Sequence, residues 1–184
     1  MTEKEKMLKG EMYDAFETGL LEMRANCKRL CQKYNSLPIE DVEARNALMR
    51  ELLGKTPENF EIMPNFWCDY GSNIEIGADF FANHDVVILD PAKVVFGDHV
   101  FVGPQCGFHT AIHPIDAVER RKGLEMAKPI TVGNDVWFGA GVQVMPGVNI
   151  GDNVVIGGGS VVVKDIPSNS VAVGNPCRVI RSLI

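Results

Sequence analysis

An apolar residue recurs at every sixth position through much of the second half of the chain. The members of this series are Val132, Phe138, Val144, Ile150, Ile156 and Val162. Six residues advance an α-helix by about 1.7 turns, so a helix cannot bring the whole series to one face. Short strands joined by tight corners can do so, if each strand points one large residue inward. The period therefore predicts a solenoid of stacked coils, in which each coil buries the apolar face of its neighbour.

The first half of the solenoid carries the same period less regularly. One register is followed by a second one after a slip of two residues, with members Ile76, Ala82, Ile88, Val94 and then Phe96, Val102, Phe108. A small or apolar companion follows four positions after most members, including Val100, Cys106, Ile112, Val136, Val142 and Val148. We therefore predict a mostly β chain, with the solenoid over residues 59–178 and a C-terminal tail over residues 179–184.

The segment before the solenoid, residues 1–58, has helical periodicity instead. Thr2 and Glu5 have the spacing of a capping box. A second helix is predicted from a stripe of Met23, Cys27, Leu30, Cys31 and Tyr34. A third should bury Val42, Leu48, Met49, Leu52 and Leu53 and stop at Gly54. These stripes predict an N-terminal α-helical cap that packs against the coils.

Net charge, hydrophobicity and cysteine content argue against several classes of function. The 184 residues carry a formal net charge of −6, which argues against a general nucleic-acid surface but allows a local basic site for one anion. The start of the chain is charged, and no apolar run approaches the roughly 18–20 residues that span a bilayer, so we expect a cytoplasmic protein. The five cysteines include no C-x-x-C pair, and Cys27 and Cys31 are expected to be half-buried thiols rather than metal ligands.

The six-residue period breaks at CGFHTAIHPIDAVERRKG, residues 106–123. Phe108 opens a repeat and His113 ends it, because Pro114 falls where the next inward residue is due. The period resumes only at Val132, so residues 113–130 should form an excursion loop, and loops of this length are usually functional. His109 keeps the solenoid's register, whereas His113 lies at the root of the loop. Rigid mounting beside a covering loop suits a general base.

Several stretches together resemble the maltose and galactoside O-acetyltransferases, a branch of the hexapeptide-repeat acyltransferases. They are TEKEKMLKGEMYDAFE, CDYGSNIEIG, FFANHDVVILD, HTAIHPID, KPITVGNDVWFGAGVQVMPGVNIGDNVVIGGGSVVVKDIP and GNPCRVIR. The resemblance covers nearly the whole chain. It implies a left-handed parallel β-helix with three strands per coil, assembled as a homotrimer with active sites between subunits. It also implies direct acetyl transfer from acetyl-CoA to a sugar hydroxyl, with the 6-hydroxyl expected, and no required metal.

The resemblance also implies roles for individual residues. His113 matches the family's catalytic histidine, which takes the proton of the acceptor hydroxyl. Asn83, Asp69 and Trp137 match positions at or near the acceptor site. The positions that match acetyl-CoA contacts are Ala140, Gly158, Val163, Lys164, Arg178 and Arg181.

Two positions depart from the family's pattern. The family's N-terminal sugar-contact aspartate falls on Ala15, beside Asp14, so Asp14 is the candidate substitute. A second acceptor-site aspartate falls on Pro91, next to Asp90. The identity of the acceptor is therefore the part of the function that the resemblance determines least.

Three alternatives stay open from the residues alone. The acceptor could be serine or an antibiotic, as in the xenobiotic acetyltransferase branch. The scaffold could carry zinc, as in the gamma carbonic anhydrases, although those place two histidine ligands five positions apart and His109 and His113 are four apart. The solenoid could also be non-catalytic and bind only a partner.

Overall fold

The computed structural model describes residues 1–184, which form four helices and nineteen strands. The helices are α1 (Glu3–Leu8), α2 (Thr18–Ser36), α3 (Val42–Leu52) and α4 (Ala117–Arg120). In chain order, the strands are β1 (Tyr13–Asp14), β2 (Phe60–Ile62), β3 (Phe66–Cys68), β4 (Ile74–Glu75), β5 (Phe80–Ala82), β6 (Val86–Leu89), β7 (Val94–Phe96), β8 (Phe101–Val102), β9 (Gly107–His109), β10 (Ala111–Ile112), β11 (Leu124–Ala127), β12 (Ile130–Val132), β13 (Val136–Phe138), β14 (Gln143–Val144), β15 (Asn149–Ile150), β16 (Val154–Ile156), β17 (Val161–Val162), β18 (Ser170–Val173) and β19 (Arg178–Ser182).

Successive strands take turns on three parallel sheets that surround one core. Face one contains β2, β5, β8, β13, β16 and β18, with β19 added antiparallel at the end. Face two contains β3, β6, β9, β14 and β17, and face three contains β4, β7, β12 and β15. Each strand pairs with the strand of the next coil on the same face, which is the predicted parallel solenoid.

The six-residue series forms the core of this solenoid. Every member of the series is at most 3% exposed, from Ile76 in the first coils to Val162 in the last ones. Four phenylalanines stack through successive coils, with ring centroids 5.1 Å apart for Phe80 and Phe96, 4.9 Å for Phe96 and Phe108, and 5.2 Å for Phe108 and Phe138. The period was therefore interpreted correctly, because each inward residue contacts its counterparts above and below.

At several corners between faces, the backbone adopts the left-handed conformation. Seven non-glycine residues have φ between 53° and 63°, and all but two are Asp or Asn: Asp79, Asp85, His99, Gln105, Asp135, Asn153 and Asn169. Short polar side chains tolerate this left-handed conformation better than most. Gly139 serves a different need, since a Cβ there would lie 2.5 Å from the Gly158 nitrogen of the next coil.

The N-terminal cap packs on the first coils as predicted, with two differences. The capping box of Thr2 and Glu5 is present at α1, and α3 ends at Leu52 before Gly54. Val42, however, is 53% exposed, so it does not belong to the buried face of α3. Cys27 and Cys31 are 2% and 0% exposed, fully rather than half buried. No helix in the chain has the length and apolar character to cross a membrane.

The excursion loop is folded rather than irregular. It contains α4 and β11, and β11 pairs antiparallel with both β10 and β1 to make a three-stranded sheet outside the solenoid. Because β10 leaves the coil to join this sheet, Ile112 is only partly buried. At the other end, most of the expected C-terminal tail is strand β19, which pairs antiparallel with β18.

Candidate active site

His113 directly follows β10, at the point where the chain leaves the solenoid. Its side chain is 57% exposed, and its Nε2 atom lies 3.8 Å from Oε1 of Glu125. This separation is too long for a hydrogen bond. The carboxylate thus lies beside the imidazole without bonding to it, and a hydroxyl placed at the side of the pair could reach both groups.

Glu125 is held in place from the other side by the N-terminal segment. The hydroxyl of Tyr13 donates a 2.8 Å hydrogen bond to Oε2 of Glu125, and the two residues are directly opposite in the pairing of β1 with β11. Burial, reinforced by this hydrogen bond, raises the pKa of Tyr13. The phenol therefore stays protonated and keeps donating to the carboxylate.

A cavity of about 260 Å³ opens beside Glu125. Besides Tyr13 and Glu125, its lining includes Ala15, Arg24, Asp69, Tyr70 and Pro91. Three of the positions that the resemblance assigns to the acceptor site, namely Ala15, Asp69 and Pro91, therefore lie together in one lining. Asp14 is not part of this lining, and its Oδ1 accepts a hydrogen bond from the Phe16 amide.

The walls of the cavity are fixed by charged hydrogen bonds. Arg24 donates from Nη1 to the Tyr70 hydroxyl at 2.7 Å and from Nη2 to the Ala15 carbonyl. Asp69 accepts a hydrogen bond of 3.0 Å from Lys28 Nζ. Such bonds are stronger than neutral ones, so the cavity is held open by groups that also suit the binding of hydroxyls.

Asp90 holds two of the residues that line the cavity, Asp69 and Tyr70. Its Oδ1 accepts hydrogen bonds from the amides of Asp69 and Tyr70 at 3.0 and 2.9 Å. The side chain is 0% exposed, and its Oδ2 has no hydrogen-bond partner. Burial raises the pKa of this carboxyl to about 6, against the opposing effect of the two amides.

Asn83 and Trp137 lie elsewhere on the molecule, outside this cavity. Asn83 follows β5, and its backbone N–H donates to the Val102 carbonyl at 2.9 Å. Trp137 is 56% exposed on face one, where it pairs in register with Phe101. His113 does not line the cavity either, but it lies 3.8 Å from Glu125, which does.

Three of the residues expected to contact acetyl-CoA follow one edge of the solenoid, where face one meets face two. Ala140 and Gly158 are exposed at equivalent corners of neighbouring coils, and the Gly159 amide donates to the Ala140 carbonyl at 2.8 Å. Arg178 is opposite Val173, at the end of β18 that reaches this edge. Val163 and Lys164 follow β17 at the next corner, and Arg181 is opposite Val171.

The two histidines near the break are separated as their register predicted. His109 lies within β9, and its Nε2 is 2.8 Å from Oε1 of Gln143. The cysteines Cys27, Cys31 and Cys68 form the one group of three or more metal-ligating side chains in the chain. The zinc alternative thus has no ligand cluster at His109 and His113 within a single chain.

Sequence reasoning missed Tyr13, Arg24 and Glu125. No local period marks Tyr13 or Glu125, because β1 has two residues and β11 lies inside the charged excursion loop, and Arg24 lies on α2 but outside its apolar stripe. The only available signal was the placement of Glu125 in a loop already identified as functional. Its pairing with Tyr13 spans 112 residues of sequence.

Comparisons with known proteins identify the family of this chain. Residues 6–57 match the maltose acetyltransferase hexapeptide capping motif, and residues 129–164 match the bacterial transferase hexapeptide family of six repeats. Galactoside O-acetyltransferase of Escherichia coli is 41% identical over 97% of this chain and 88% of its own length.

Solved structures give the same result. A maltose O-acetyltransferase from Clostridium difficile superposes with a TM-score of 0.99 at 48% identity, covering 100% of this chain and 98% of the other. A galactoside acetyltransferase in complex with coenzyme A gives a TM-score of 0.96 at 41% identity, over 100% of this chain and 92% of the other. The chain therefore belongs to the maltose and galactoside O-acetyltransferase branch of the hexapeptide-repeat acetyltransferases, and it is an acyltransferase that uses acetyl-CoA.

Proposed function

We propose that the enzyme transfers an acetyl group from acetyl-CoA to a hydroxyl of a sugar such as maltose, glucose or a galactoside, with the 6-hydroxyl preferred and His113 as general base. The observation that carries this proposal is the cavity lined by Asp69, Arg24, Tyr70 and Glu125, whose Glu125 carboxylate lies 3.8 Å from Nε2 of His113. Carboxylates, guanidinium and phenol offer both acceptors and donors to a polyhydroxylated ligand.

The chemical step needs only one proton carrier. The acceptor hydroxyl donates its proton to the neutral imidazole of His113 as its oxygen attacks the thioester carbonyl. The tetrahedral intermediate then collapses, the carbon–sulfur bond breaks, and the coenzyme A thiolate takes the proton from the imidazolium. General-base assistance of this kind contributes roughly 10²–10⁴-fold.

The gap between His113 and Glu125 supports this assignment of the base. Because Nε2 and Oε1 are 3.8 Å apart, no direct hydrogen bond to the carboxylate requires Nε2 to carry the ring proton, and its lone pair can accept from a substrate hydroxyl. A hydroxyl that entered from the cavity could donate to Nε2 while Glu125 orients its neighbours. Tyr13 would keep Glu125 in this position, since their hydrogen bond fixes the other carboxylate oxygen.

We place the acetyl-CoA along the edge that contains Ala140 and Gly158. Exposed small residues at successive corners allow an extended pantetheine arm to lie close to the backbone. Val163 and Lys164 would contact its continuation, and Arg178 and Arg181 are exposed near the end of the solenoid. Their guanidinium groups suit the phosphates of the coenzyme.

We further propose that the enzyme is a homotrimer with each active site between two subunits. Face one presents a row of aromatic side chains: Phe101 is 52% and Trp137 56% exposed, and the rings of Phe81 and Phe101 are 6.2 Å apart. Contiguous exposed apolar side chains are typical of contact surfaces. Asn83, next to this row, would then approach the cavity of a neighbouring subunit rather than that of its own.

All five cysteines are free thiols. Thiols persist in reducing compartments, which is the support for proposing a cytoplasmic location.

An acceptor panel tests the proposed function. Steady-state rates with acetyl-CoA should be measured for maltose, glucose and a galactoside, with serine and chloramphenicol as competing classes. We expect a sugar to have the highest kcat/KM, and carbon NMR of the product should show the ester at the 6-hydroxyl. A preference for serine or chloramphenicol over every sugar would overturn the sugar assignment while leaving acetyl transfer intact.

A further inference from the structure

Three cysteine thiols meet where the N-terminal cap contacts the first coil. Cys27 and Cys31 lie one turn apart on α2, and Cys68 is the last residue of β3. The Sγ atom of Cys68 lies 3.4 Å from that of Cys27 and 3.9 Å from that of Cys31. All three sulfurs are within 4.8 Å of one another, and the residues are between 0% and 2% exposed.

This spacing is that of sulfurs around one metal ion. A metal–sulfur bond of about 2.3 Å places the sulfurs of a trigonal or tetrahedral site roughly 3.8–4.0 Å apart. The two observed distances from Cys68 require adjustments of a few tenths of an ångström or less, which side-chain rotation can supply. The helix and the strand are therefore already in position to bind an ion.

The ligand set selects the kind of ion. Thiolates favour soft cations such as copper(I) and zinc, and disfavour magnesium or calcium. Zinc in structural sites takes four ligands, whereas the group here consists of three sulfurs with no carboxylate or imidazole within the same 4.8 Å. Burial also keeps solvent from supplying a fourth ligand. A three-coordinate thiolate site is suited to copper(I).

One cation, the ammonium of Lys28, lies beside the cluster. Three thiolates and one monovalent cation carry a net charge of −2, which needs positive charge nearby. The ammonium of Lys28 donates a 2.7 Å hydrogen bond to the carbonyl of Cys68, one of the three ligand residues. Lys28 also forms an ion pair of 3.0 Å with Asp69, which fixes its position beside the cluster.

We propose that Cys27, Cys31 and Cys68 form a binding site for one copper(I) ion, which ties the N-terminal cap to the solenoid. The ligands come from two elements that are far apart in sequence, so they assemble only in the folded chain. Binding should therefore stabilise the native state by mass action. The site adjoins the cavity, because Cys68 precedes Asp69 and Lys28 bonds to both, but none of its three sulfurs lines the cavity, and the proposal does not depend on which acceptor the enzyme uses.

The test uses the full-length protein under anaerobic conditions, with copper(I) supplied from a chromogenic chelator that reports the free ion. We expect one copper(I) per chain to remain bound after gel filtration, with three sulfur neighbours in X-ray absorption and a higher melting temperature. Cys27→Ser and Cys68→Ser should each weaken binding by at least about 100-fold, the upper range for loss of even an outer-shell partner. Cys106→Ser and Cys177→Ser provide matched controls, because both thiols are buried outside the cluster and should leave binding unchanged.

Several outcomes would overturn the proposal. They are loss of the copper on gel filtration, equal binding by the Cys68→Ser variant, or an equal defect in Cys106→Ser. A preference for zinc with a fourth ligand would refute the three-coordinate site, and oxidation of Cys27 and Cys68 to a disulfide would replace it. If a variant fails to fold, the X-ray absorption of the unaltered protein decides alone: fewer than three sulfur neighbours would refute the site.

Discussion

The coils of the solenoid differ from the three-stranded sheet β1–β11–β10 in how they are assembled. In the uninterrupted coils from residue 130 onward, parallel neighbours are 16–18 residues apart along the chain, as for Thr131 with Asn149 and Val154 with Ser170, and their inward residues are buried. In the sheet, Tyr13 pairs with Glu125 across 112 residues, and the adjacent His113 is 57% exposed. The coils repeat one local rule, whereas the sheet joins distant segments once.

Because of this difference, the coils mainly stabilise the fold, whereas the sheet mainly positions the residues proposed for catalysis. The coils contain the aromatic stack and almost all of the period-six core. The sheet contains few buried apolar residues but holds the base candidate, the carboxylate opposite it and the phenol that orients that carboxylate. A change in the coils should therefore act mainly on the free energy of unfolding, and a change in the sheet mainly on turnover.

The largest expected effect is on turnover, in the variant His113→Ala. Loss of the general base should lower kcat by about 10²–10⁴-fold. Because the side chain is 57% exposed, the free energy of unfolding should change by no more than about 0.5 kcal/mol. Stopped-time assays with acetyl-CoA and maltose, alongside thermal melts, measure both; unchanged turnover would refute His113 as the base.

The opposite pattern is expected for Phe108→Ala in the coils. Phe108 is 0% exposed and packs between Phe96 and Phe138, so its truncation should cost about 3–5 kcal/mol of unfolding free energy. Turnover per folded molecule should remain near that of the unaltered enzyme. The matched control is Val118→Ala in α4, where the side chain is 60% exposed and the cost should stay within about 0.5 kcal/mol. Equal losses in the two variants would contradict the division between the regions.

A third prediction concerns Asp90, which lies between the regions. Burial raises its pKa in the folded chain to about 6, above the ordinary aspartate value of 3.8, so the folded chain holds this proton more tightly than the unfolded chain. The resulting stabilisation is fully present below about pH 4 and is lost as the pH rises through about 6, a change of about 3 kcal/mol. Asp90→Asn cannot ionise, and its Oδ1 can still accept from the Asp69 and Tyr70 amides.

Urea unfolding from pH 4 to pH 8 measures this effect. We expect Asp90→Asn to match the unaltered protein near pH 4 and to become the more stable of the two above pH 6. Asp135→Asn is the control, since Asp135 is an exposed corner residue with φ of 55°, which Asn also tolerates. If the free energies of unfolding of Asp90→Asn and the unaltered protein changed with pH in parallel, the pKa of this carboxyl would be the same in the folded and unfolded chains.

The smallest expected effect belongs to Tyr13→Phe. This variant removes the hydrogen bond to Glu125 Oε2 but keeps the ring in the core, where Tyr13 is 1% exposed. A contribution of about 1.4 kcal/mol from the lost bond would lower kcat about tenfold. Kinetics with saturating maltose test it, and full activity would mean that β1 supports the fold without positioning Glu125.

The solenoid was predictable because its signal is repeated. Thirteen positions from Ile76 to Val162 obey the same spacing, and all are buried, so single exceptions do not hide the period. The capping box at Thr2 and the end of α3 before Gly54 were also correct, because both are local. The prediction that Val42 is buried was wrong, since helical spacing alone does not determine where the buried face of a helix ends.

The site was predictable only in part. The break in the period placed His113 at the root of the excursion loop, and the family resemblance supplied its expected role and those of Asp69, Asn83 and the acetyl-CoA positions. Tyr13 and Glu125 could not be found, because a two-residue strand and a charged loop carry no periodic signal. Arg24 lies on the predicted helix α2, but outside its apolar stripe, and its bonds to Tyr70 and the Ala15 carbonyl form only in the folded chain. The contact of Cys68 with Cys27 and Cys31 was also missed, because 37 residues separate Cys31 from Cys68 and no local pattern connects them.

By itself, the sequence determined the coil, its core and the position of the one long interruption. These follow from a spacing rule that acts between near neighbours and needs no knowledge of the rest of the chain. The tertiary structure decided which distant segments meet: β1 against β11, α2 against β3, and Asp90 beneath the cavity. Such contacts depend on how the cap and the excursion loop dock on the finished coils, and this docking is specified by packing over the whole surface rather than by any local pattern.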